Sequence, residues 1–332
     1  MRRLLTRSIV LLITSVGGPV TQAQVGDATR VHDPCIIKEG EWYYVFSTGP
    51  GIPIRRSRDL KTWARDGRAL DGPPGWAKAA VPAGRDLWAP DISLFGGKFH
   101  LYYSISTFGK NRSCIGLATN RTLDRSSPDY RWVDEGLVIA SEPGRDDFNA
   151  IDPDVVLDEE GTRWLSFGSF WGGVQLVRLD RASGKPAGAV SRIAARPEHA
   201  IEAPYLYRRG GFYYLFASFD RCCQGVQSTY KIMVGRSRKV DGPYVDDVGK
   251  PMLEGGGTLV LEEEGRYRGP GHNAILRDGA REYLVHHAYD AEAFGRPTLQ
   301  IRPLTWTDAG WPKPGAPIAE PENPRHPASP AR

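Results

Sequence analysis

Five copies of one short pattern run along the chain and restrict what it can fold into. Each copy has a turn bearing an acid or a histidine, then an apolar strand, a glycine turn and an aromatic strand. The turn glycines are 57, 64, 49 and 69 residues apart. A period of roughly 60 residues built from short strands is typical of propeller blades. The repeat therefore predicts an all-β protein, a five-bladed β-propeller. Its register glycines are Gly40, Gly97, Gly161, Gly210 and Gly279.

The same repeat sets the expected domain organisation. Five units nearly fill the 332 residues, so one propeller domain is predicted over residues 24–311, without helices. Residues 1–23 have the features of a signal peptide, because Arg2, Arg3 and Arg7 precede an apolar run and Ala23 offers a cleavage point. Residues 312–332 hold seven prolines and are expected to be a disordered tail.

Charge and cysteine content narrow the class of protein. The formal net charge of +4 is nearly cancelled once the three leader arginines are removed, so nothing favours a nucleic acid or a membrane as partner. We therefore expect a soluble, secreted or periplasmic protein, by default a monomer. Four cysteines are too few for a disulfide scaffold, and they lack the spacing of a zinc site. Cys222 and Cys223 are adjacent, so they form either a vicinal disulfide or two thiols.

The turns at the start of the repeats carry the candidate catalytic residues. The first strand of every propeller blade lines the central channel, so equivalent residues converge at one end of the axis. Burying several carboxylates together is costly, which makes such a cluster easier to explain by function than by packing. Taken singly, an Asp before Pro is also a common turn residue. The residues expected at the axis are Asp33, Asp91 or its neighbour Pro90, Asp152, Glu202 and His272.

The chemistry expected of this cluster is glycoside hydrolysis. That reaction needs one carboxylic acid to protonate the leaving oxygen and one carboxylate on the opposite face of the sugar. Aromatic residues, whose faces can stack on sugar rings, lie next to the acid-bearing turns. They are Trp88, Phe108, Phe170 and Trp171. Asp91 is expected to hold the backbone, and Asp154 is expected to point away from the axis with little effect.

These motifs together resemble those of glycoside hydrolase family 43, and within it the secreted arabinanases. The likeness spans residues 32–311. The segments that carry it are His32-Asp33-Pro34, Leu87-Trp88-Ala89-Pro90-Asp91, Asn149-Ala150-Ile151-Asp152-Pro153, Phe167-Gly168-Ser169-Phe170-Trp171-Gly172, Glu202-Ala203-Pro204, Cys222-Cys223 and Gly269-Pro270-Gly271-His272.

The resemblance implies a role for each of these positions. Asp33 would be the general base, Glu202 the general acid, and Asp152 the neighbour that raises the pKa of Glu202. His272 would face a calcium ion held largely through water molecules. The reaction would invert the anomeric centre, which requires base and acid about 6.5–9.5 Å apart. The implied substrate-binding residues are His32, Trp88, Phe108, Asn149, Ser169, Phe170 and Trp171.

Three hypotheses for function follow. The first is an inverting endo-hydrolase that cuts internal α-1,5 bonds of arabinan, a polysaccharide. The second is an exo-acting β-xylosidase or α-L-arabinofuranosidase of the same family. The third is a non-catalytic carbohydrate-binding propeller. The presence of Asp33, Asp152 and Glu202 favours the two enzymes over the binding module.

Overall fold

Five antiparallel sheets follow one another along the chain, and this confirms the predicted five-bladed β-propeller. The structure, a computed structural model, describes residues 22–26, 28–197 and 199–321. After an N-terminal strand β1 (Gln22–Gly26), blade 1 comprises β2 (Cys35–Glu39), β3 (Trp42–Phe46), β4 (Pro53–Ser57) and β5 (Thr62–Arg68). Blade 2 comprises β6 (Trp88–Phe95), β7 (Lys98–Ile105), β8 (Ser113–Asn120) and β9 (Val133–Ser141).

The remaining three blades repeat this order. Blade 3 comprises β10 (Asp154–Leu157), β11 (Arg163–Phe167), β12 (Val174–Leu179) and β13 (Ser191–Ala194). Blade 4 comprises β14 (Ile201–Arg209), β15 (Phe212–Phe219), β16 (Lys231–Ser237) and β17 (Thr258–Leu261). Blade 5 comprises β18 (Tyr267–Asp278), β19 (Arg281–Asp290), β20 (Arg296–Trp306) and β21 (Pro312–Pro314), and β22 (Ala319–Pro321) follows it.

The aromatic and aliphatic residues of the strands pack between neighbouring blades. Phe46 of blade 1 belongs to the same buried cluster as Leu101 and Tyr103 of blade 2. Val45, on the other face of the same strand, packs in a cluster with Val285 of blade 5, which closes the ring. Because the apolar side chains are used between the blades, the axis is left for polar residues. All five register glycines adopt the positive φ that their hairpin turns require.

The two ends of the described chain meet at the outer edge of blade 1. Strand β1 pairs in parallel with β5 on one side and with β22 on the other. The predicted domain boundary at residue 311 is therefore wrong, since residues 312–314 and 319–321 are strands. The prolines are tolerated because β21 is an outermost strand, where a missing N–H faces away from the sheet. The remaining tail, 322–332, and residues 1–21 of the expected leader lie outside the described residues.

Helices are short and few, although none was predicted. The described chain has one α-helical turn, α1 (Ala77–Ala80), and 3₁₀ turns at Gly225–Gln227, Met252–Glu254 and Ala291–Ala293.

Within the described residues, no helix has the length and apolar character needed to cross a membrane.

Candidate active site

Five residues, two just before the first strand of their blade and three at register shifts within it, share a left-handed backbone, although none of them is glycine. Their φ angles lie between 43° and 58°. Four of the five precede a proline, an unfavourable combination that a protein keeps where the surrounding structure enforces it. The five residues are Asp33, Ala89, Asp152, Ala203 and His272. The equivalence assumed from the sequence is therefore wrong in two blades, because Glu202 lies one residue before this position and Asp91 two residues after it.

A ring of hydrogen bonds holds these left-handed residues in place. Each backbone N–H is accepted by a side chain of the preceding blade, so every blade is tied to the next at the axis. The donor and acceptor pairs are Ala89 to Thr48 (2.8 Å), Asp152 to Ser104 (3.0 Å), Ala203 to Asp152 (3.1 Å), His272 to Ser218 (2.8 Å) and Asp33 to His287 (3.1 Å).

Blade 3 departs from this ring, and the departure concerns a candidate catalytic residue. Gly168 occupies the position of Thr48 and donates its N–H to the carbonyl oxygen of Ile151, as Thr48 donates to His32. Because glycine has no side chain, Oδ2 of Asp152 itself accepts the Ala203 N–H. Asp152 is thereby fixed to the residue that follows Glu202.

One cleft of about 550 Å³ contains every residue predicted for the site. Its floor holds the buried side chains of Asp33, Asp152 and Glu202. Its walls carry aromatic side chains in contact with solvent, since Phe108 is 78% exposed and Trp171 49% exposed. The remaining predicted residues along the cleft are His32, Trp88, Asn149, Ser169, Phe170 and His272.

Asp33 is held as a carboxylate. Thr48 Oγ1 donates to its Oδ2 at 2.5 Å, and Nδ1 of His32 lies 2.8 Å from the same oxygen. Nδ1 of His272 lies 3.1 Å from Oδ1. Burial alone would raise the pKa of Asp33, but His32 and His272 lower it well below its ordinary range. A charged, well-oriented carboxylate of this kind can accept a proton from water.

The pKa values of Glu202 and Asp152 are shifted in the opposite direction to that of Asp33. Burial raises the pKa of both, and it raises that of Asp152 to about 8. Ser169 Oγ donates to Oε2 of Glu202 at 2.7 Å. Among the described residues, no Lys or Arg forms an ion pair with either carboxyl. Because each carboxylate opposes ionisation of the other, the pair retains a proton at neutral pH. The floor thus combines a proton acceptor with a proton donor.

His272 does not lie in a direct calcium cage. Calcium takes six to eight oxygen ligands, whereas here His272 offers a nitrogen and the nearest carboxylate, Asp33, already accepts from Thr48 and His32. A second set of candidate metal-ligand atoms, on His32, Asp33 and His287, lie within 4.8 Å of one another. Two nitrogens and one oxygen suit zinc better than calcium, and His287 Nδ1 is occupied by the Asp33 N–H. A calcium ion beside His272 would therefore have to be held through water molecules.

Several residues of the cleft were not predicted. Tyr230 hydrogen-bonds Glu202, and Arg221, Gln224 and Lys110 line the walls. Cys222 and Cys223 form a disulfide, which decides between the two alternatives, and both line the cleft. A sequence signal existed for Thr48, Ser104 and Ser218, because each is a hydroxyl residue at the end of the second strand of its repeat.

A second pair of buried acids lies just beyond the left-handed ring. Asp91 Oδ2 accepts the Val155 N–H at 3.2 Å, which confirms that it holds the backbone. Asp154 Oδ2 accepts the Leu206 N–H at 2.7 Å and is buried, so the expectation that it has little effect is wrong. Burial raises the pKa of Asp91 to about 7, and it raises the pKa of Asp154 as well, with a further contribution from Asp91. Together they link blades 2, 3 and 4.

The raised pKa of Asp91 predicts how stability depends on pH. Between pH of about 4 and 7 the folded protein binds more protons than the unfolded chain, so stability falls as pH rises through this window. Asp91→Asn removes the charge while its amide oxygen can still accept the Val155 N–H. We expect the variant to exceed wild type by on the order of 1–2 kcal/mol at pH 7 and to match it near pH 4. Urea unfolding at both pH values measures this.

The matched control is Asp59→Asn. Burial opposes ionisation of Asp59, but hydrogen bonds from its turn lower its pKa, so removing its charge should give no gain in stability at pH 7. Equal gains from the two substitutions would contradict the assignment to Asp91.

The family follows from this fold and site. The sequence model of glycosyl hydrolases family 43 matches residues 27–312. The chain belongs to this family and is a glycoside hydrolase.

The most informative relatives act on the same kind of sugar but in different ways. An extracellular exo-α-(1→5)-L-arabinofuranosidase of Cellvibrio japonicus is 46% identical over 297 residues, covering 85% of this chain and 86% of the relative. An extracellular endo-α-(1→5)-L-arabinanase of Bacillus subtilis is 44% identical over 309 residues, covering 91% and 93%. The structure of a Cellvibrio cellulosa α-L-arabinanase complexed with arabinohexaose matches with a TM-score of 0.85 at 44% identity, covering 87% of this chain and 96% of that one.

Proposed function

We propose that this protein is an inverting endo-1,5-α-L-arabinanase. The observation that carries the proposal is the pairing of an ionised Asp33 with a protonated Asp152–Glu202 pair on the floor of a cleft walled by exposed aromatic residues. The relatives named for arabinan supply the substrate class. Their extracellular designation supports secretion, in agreement with the expected leader.

The proposed reaction uses the two kinds of acid in concert. Asp33 removes a proton from a water molecule that attacks the anomeric carbon, while Glu202 protonates the leaving 5-oxygen of the next sugar. Asp152 is held to the Ala203 N–H, so its carboxyl is fixed near Glu202 and helps to keep the proton available. The aromatic walls hold the furanose rings over the floor.

Product analysis on debranched arabinan, branched arabinan and xylan tests this function. An endo-enzyme releases oligosaccharides of several lengths from debranched arabinan at early times. An exo-enzyme, the alternative that the Cellvibrio japonicus relative supports, releases one short product from the chain end. Binding without any release at several pH values and calcium concentrations would identify a carbohydrate-binding propeller instead.

Phe108 is expected to contribute to substrate binding. It is 78% exposed on the cleft wall, so removing its ring creates no cavity in the core. We expect Phe108→Ala to raise KM for arabinan about three- to tenfold with kcat within twofold of wild type. Leu94→Ala removes another exposed apolar side chain, one that does not line the cleft, and its KM should not change. Equal effects of both variants would contradict a sugar-binding role for Phe108.

We also propose that a hydrated calcium ion lies beside His272, whose Nδ1 is directed at Asp33 and whose Nε2 remains for a water of the ion. Its contribution would be structural and electrostatic, and no catalytic step is assigned to it. Removing it with EDTA should lower Tm by about 3–8 °C, and calcium should restore it. In His272→Gln the response to EDTA should disappear. A Tm that EDTA leaves unchanged in the wild type would exclude the ion.

A further inference from the structure

A chain of hydrogen bonds runs from the disulfide loop to the proposed general base. Cys223 donates its backbone N–H to the hydroxyl oxygen of Tyr289 at 2.8 Å. That oxygen lies 2.7 Å from Nε2 of His32. At the other side of the imidazole, Nδ1 of His32 lies 2.8 Å from Oδ2 of Asp33. Three consecutive short contacts therefore join two loops of different blades to one carboxylate.

The direction of each bond follows from the hydrogens available. The Tyr289 oxygen accepts from Cys223 and hydrogen-bonds Ser228. We assign Ser228 as the donor, because its own oxygen already accepts the Gln224 N–H, and the one hydrogen of Tyr289 is then left for His32. Nε2 of His32 must then be the acceptor. The ring hydrogen consequently sits on Nδ1, which faces Asp33. In this arrangement the tyrosine selects the histidine tautomer that can donate to the base.

The surroundings keep the chain in one geometry. Tyr289 is 3% exposed and is not among the residues that line the cleft, so it is not placed to touch a substrate bound there. The His32 ring stacks on His287 with centroids 4.0 Å apart, and Tyr289 packs edge-on against the same His287 ring. The donor of the first bond, Cys223, has a left-handed backbone with φ of 65° and is bonded covalently to Cys222. The disulfide thus keeps the first donor in place.

We infer that Tyr289 is a positioning residue for the hydrolytic reaction, which acts through His32 to orient the Asp33 carboxylate towards the attacking water. The inference rests on the proposed function. It also gives the Cys222–Cys223 disulfide a role beyond forming the wall of the cleft, because the turn that it restrains supports the proposed base.

The first test measures kcat and KM on debranched arabinan for Tyr289→Phe, which loses only the hydroxyl group. We expect kcat to fall about tenfold while KM stays within twofold of wild type. The matched control is Tyr214→Phe, which loses a phenol hydrogen bond to the Gly310 carbonyl oxygen outside the cleft and should keep kcat. A rise in KM alone, an unchanged kcat, or equal losses in both variants would overturn the inference.

A double-mutant cycle shows whether Tyr289 acts through His32. In His32→Asn the shorter amide can still donate towards Asp33 but cannot reach Tyr289. Adding Tyr289→Phe to this variant should change kcat less than twofold, whereas independent roles would multiply the two losses. Multiplied losses overturn the inference.

A spectroscopic measurement covers the case in which Tyr289→Phe fails to fold, and it needs no substrate. ¹⁵N-histidine NMR of the wild-type protein should show His32 with its hydrogen on Nδ1, the signal being assigned by its loss in His32→Asn. A hydrogen on Nε2 would overturn the inference. If this tautomer is found but arabinan is not cleaved by the wild type, the proposed function fails while the geometry stands.

Discussion

Replacing Glu202 by glutamine is expected to lower kcat on arabinan by about 10²–10⁴-fold, because the amide has the shape of the acid but no proton to give to the leaving oxygen. Ser169 can still hydrogen-bond the amide oxygen, and the amide is as uncharged as the protonated acid that it replaces, so the fold should be kept. The measurement is kcat on debranched arabinan together with Tm.

An aryl glycoside of an α-1,5-arabino-oligosaccharide distinguishes loss of the acid from general damage. Nitrophenolate leaves without protonation, so Glu202→Gln should retain most of its activity on a nitrophenyl α-1,5-arabino-oligosaccharide while losing its activity on arabinan. Ser191→Ala, a change in the outer strand β13 away from the cleft, should leave both activities at wild-type values. Equal loss on both substrates in Glu202→Gln would argue that Glu202 is not the proton donor.

Replacing Asp33 by asparagine is expected to cause a loss of about 10²–10⁴-fold on both substrates, because activation of water is needed whatever the leaving group. Asparagine is chosen since it tolerates the left-handed backbone of this position better than alanine does. The amide cannot accept a proton from water, although the donors Thr48, His32 and His272 remain around it. Kinetics on arabinan and on the nitrophenyl substrate measure the effect.

A small external nucleophile provides the second half of this experiment. Azide or formate can occupy the space left by the base and should raise the activity of Asp33→Gly on the nitrophenyl substrate, but not that of Glu202→Gln; glycine is used here because it leaves that space and tolerates the left-handed backbone. Retention of more than a tenth of wild-type activity on arabinan by Asp33→Asn would contradict the assignment of the base.

The fold was predictable because every blade has the same local sequence pattern. Alternating apolar residues and a glycine turn such as Gly210 specify a hairpin whatever lies around it. The strands near the tail are not evident from the sequence, because the prolines of residues 312–321 argue against a strand except at a sheet edge, where β21 needs no N–H from its prolines.

The residues of the site were predictable, but their register was not. Matching the repeats by their acidic residues places Glu202 at the position equivalent to that of Asp33. Composition does not reveal the left-handed residue of each blade, but in four blades a proline follows it, after Asp33, Ala89, Asp152 and Ala203. Matching the repeats by those prolines instead places Glu202 one residue earlier than Asp33, at a position where no other blade carries an acid. The proposed acid, Glu202, and the proposed base, Asp33, thus come from different positions of the repeat, which accords with their different surroundings.

Contacts between distant segments lay beyond the reach of the sequence. The partnership of His32 with Tyr289 joins residues 257 positions apart, and that of Asp33 with His287 joins residues 254 apart. Both exist only because blade 5 closes against blade 1. Likewise, strand alternation suggested that Asp154 faces away, whereas its carboxylate is held by the backbone of blade 4.

The most direct test of the central claim is the anomeric configuration of the first product. ¹H NMR during hydrolysis of a short α-1,5-arabino-oligosaccharide by concentrated enzyme follows the new reducing end before it mutarotates. A water activated by Asp33 on the face opposite Glu202 predicts that the β-anomer forms first. Initial formation of the α-anomer would show that the bond is cleaved with retention, and it would contradict the roles proposed for Asp33 and Glu202.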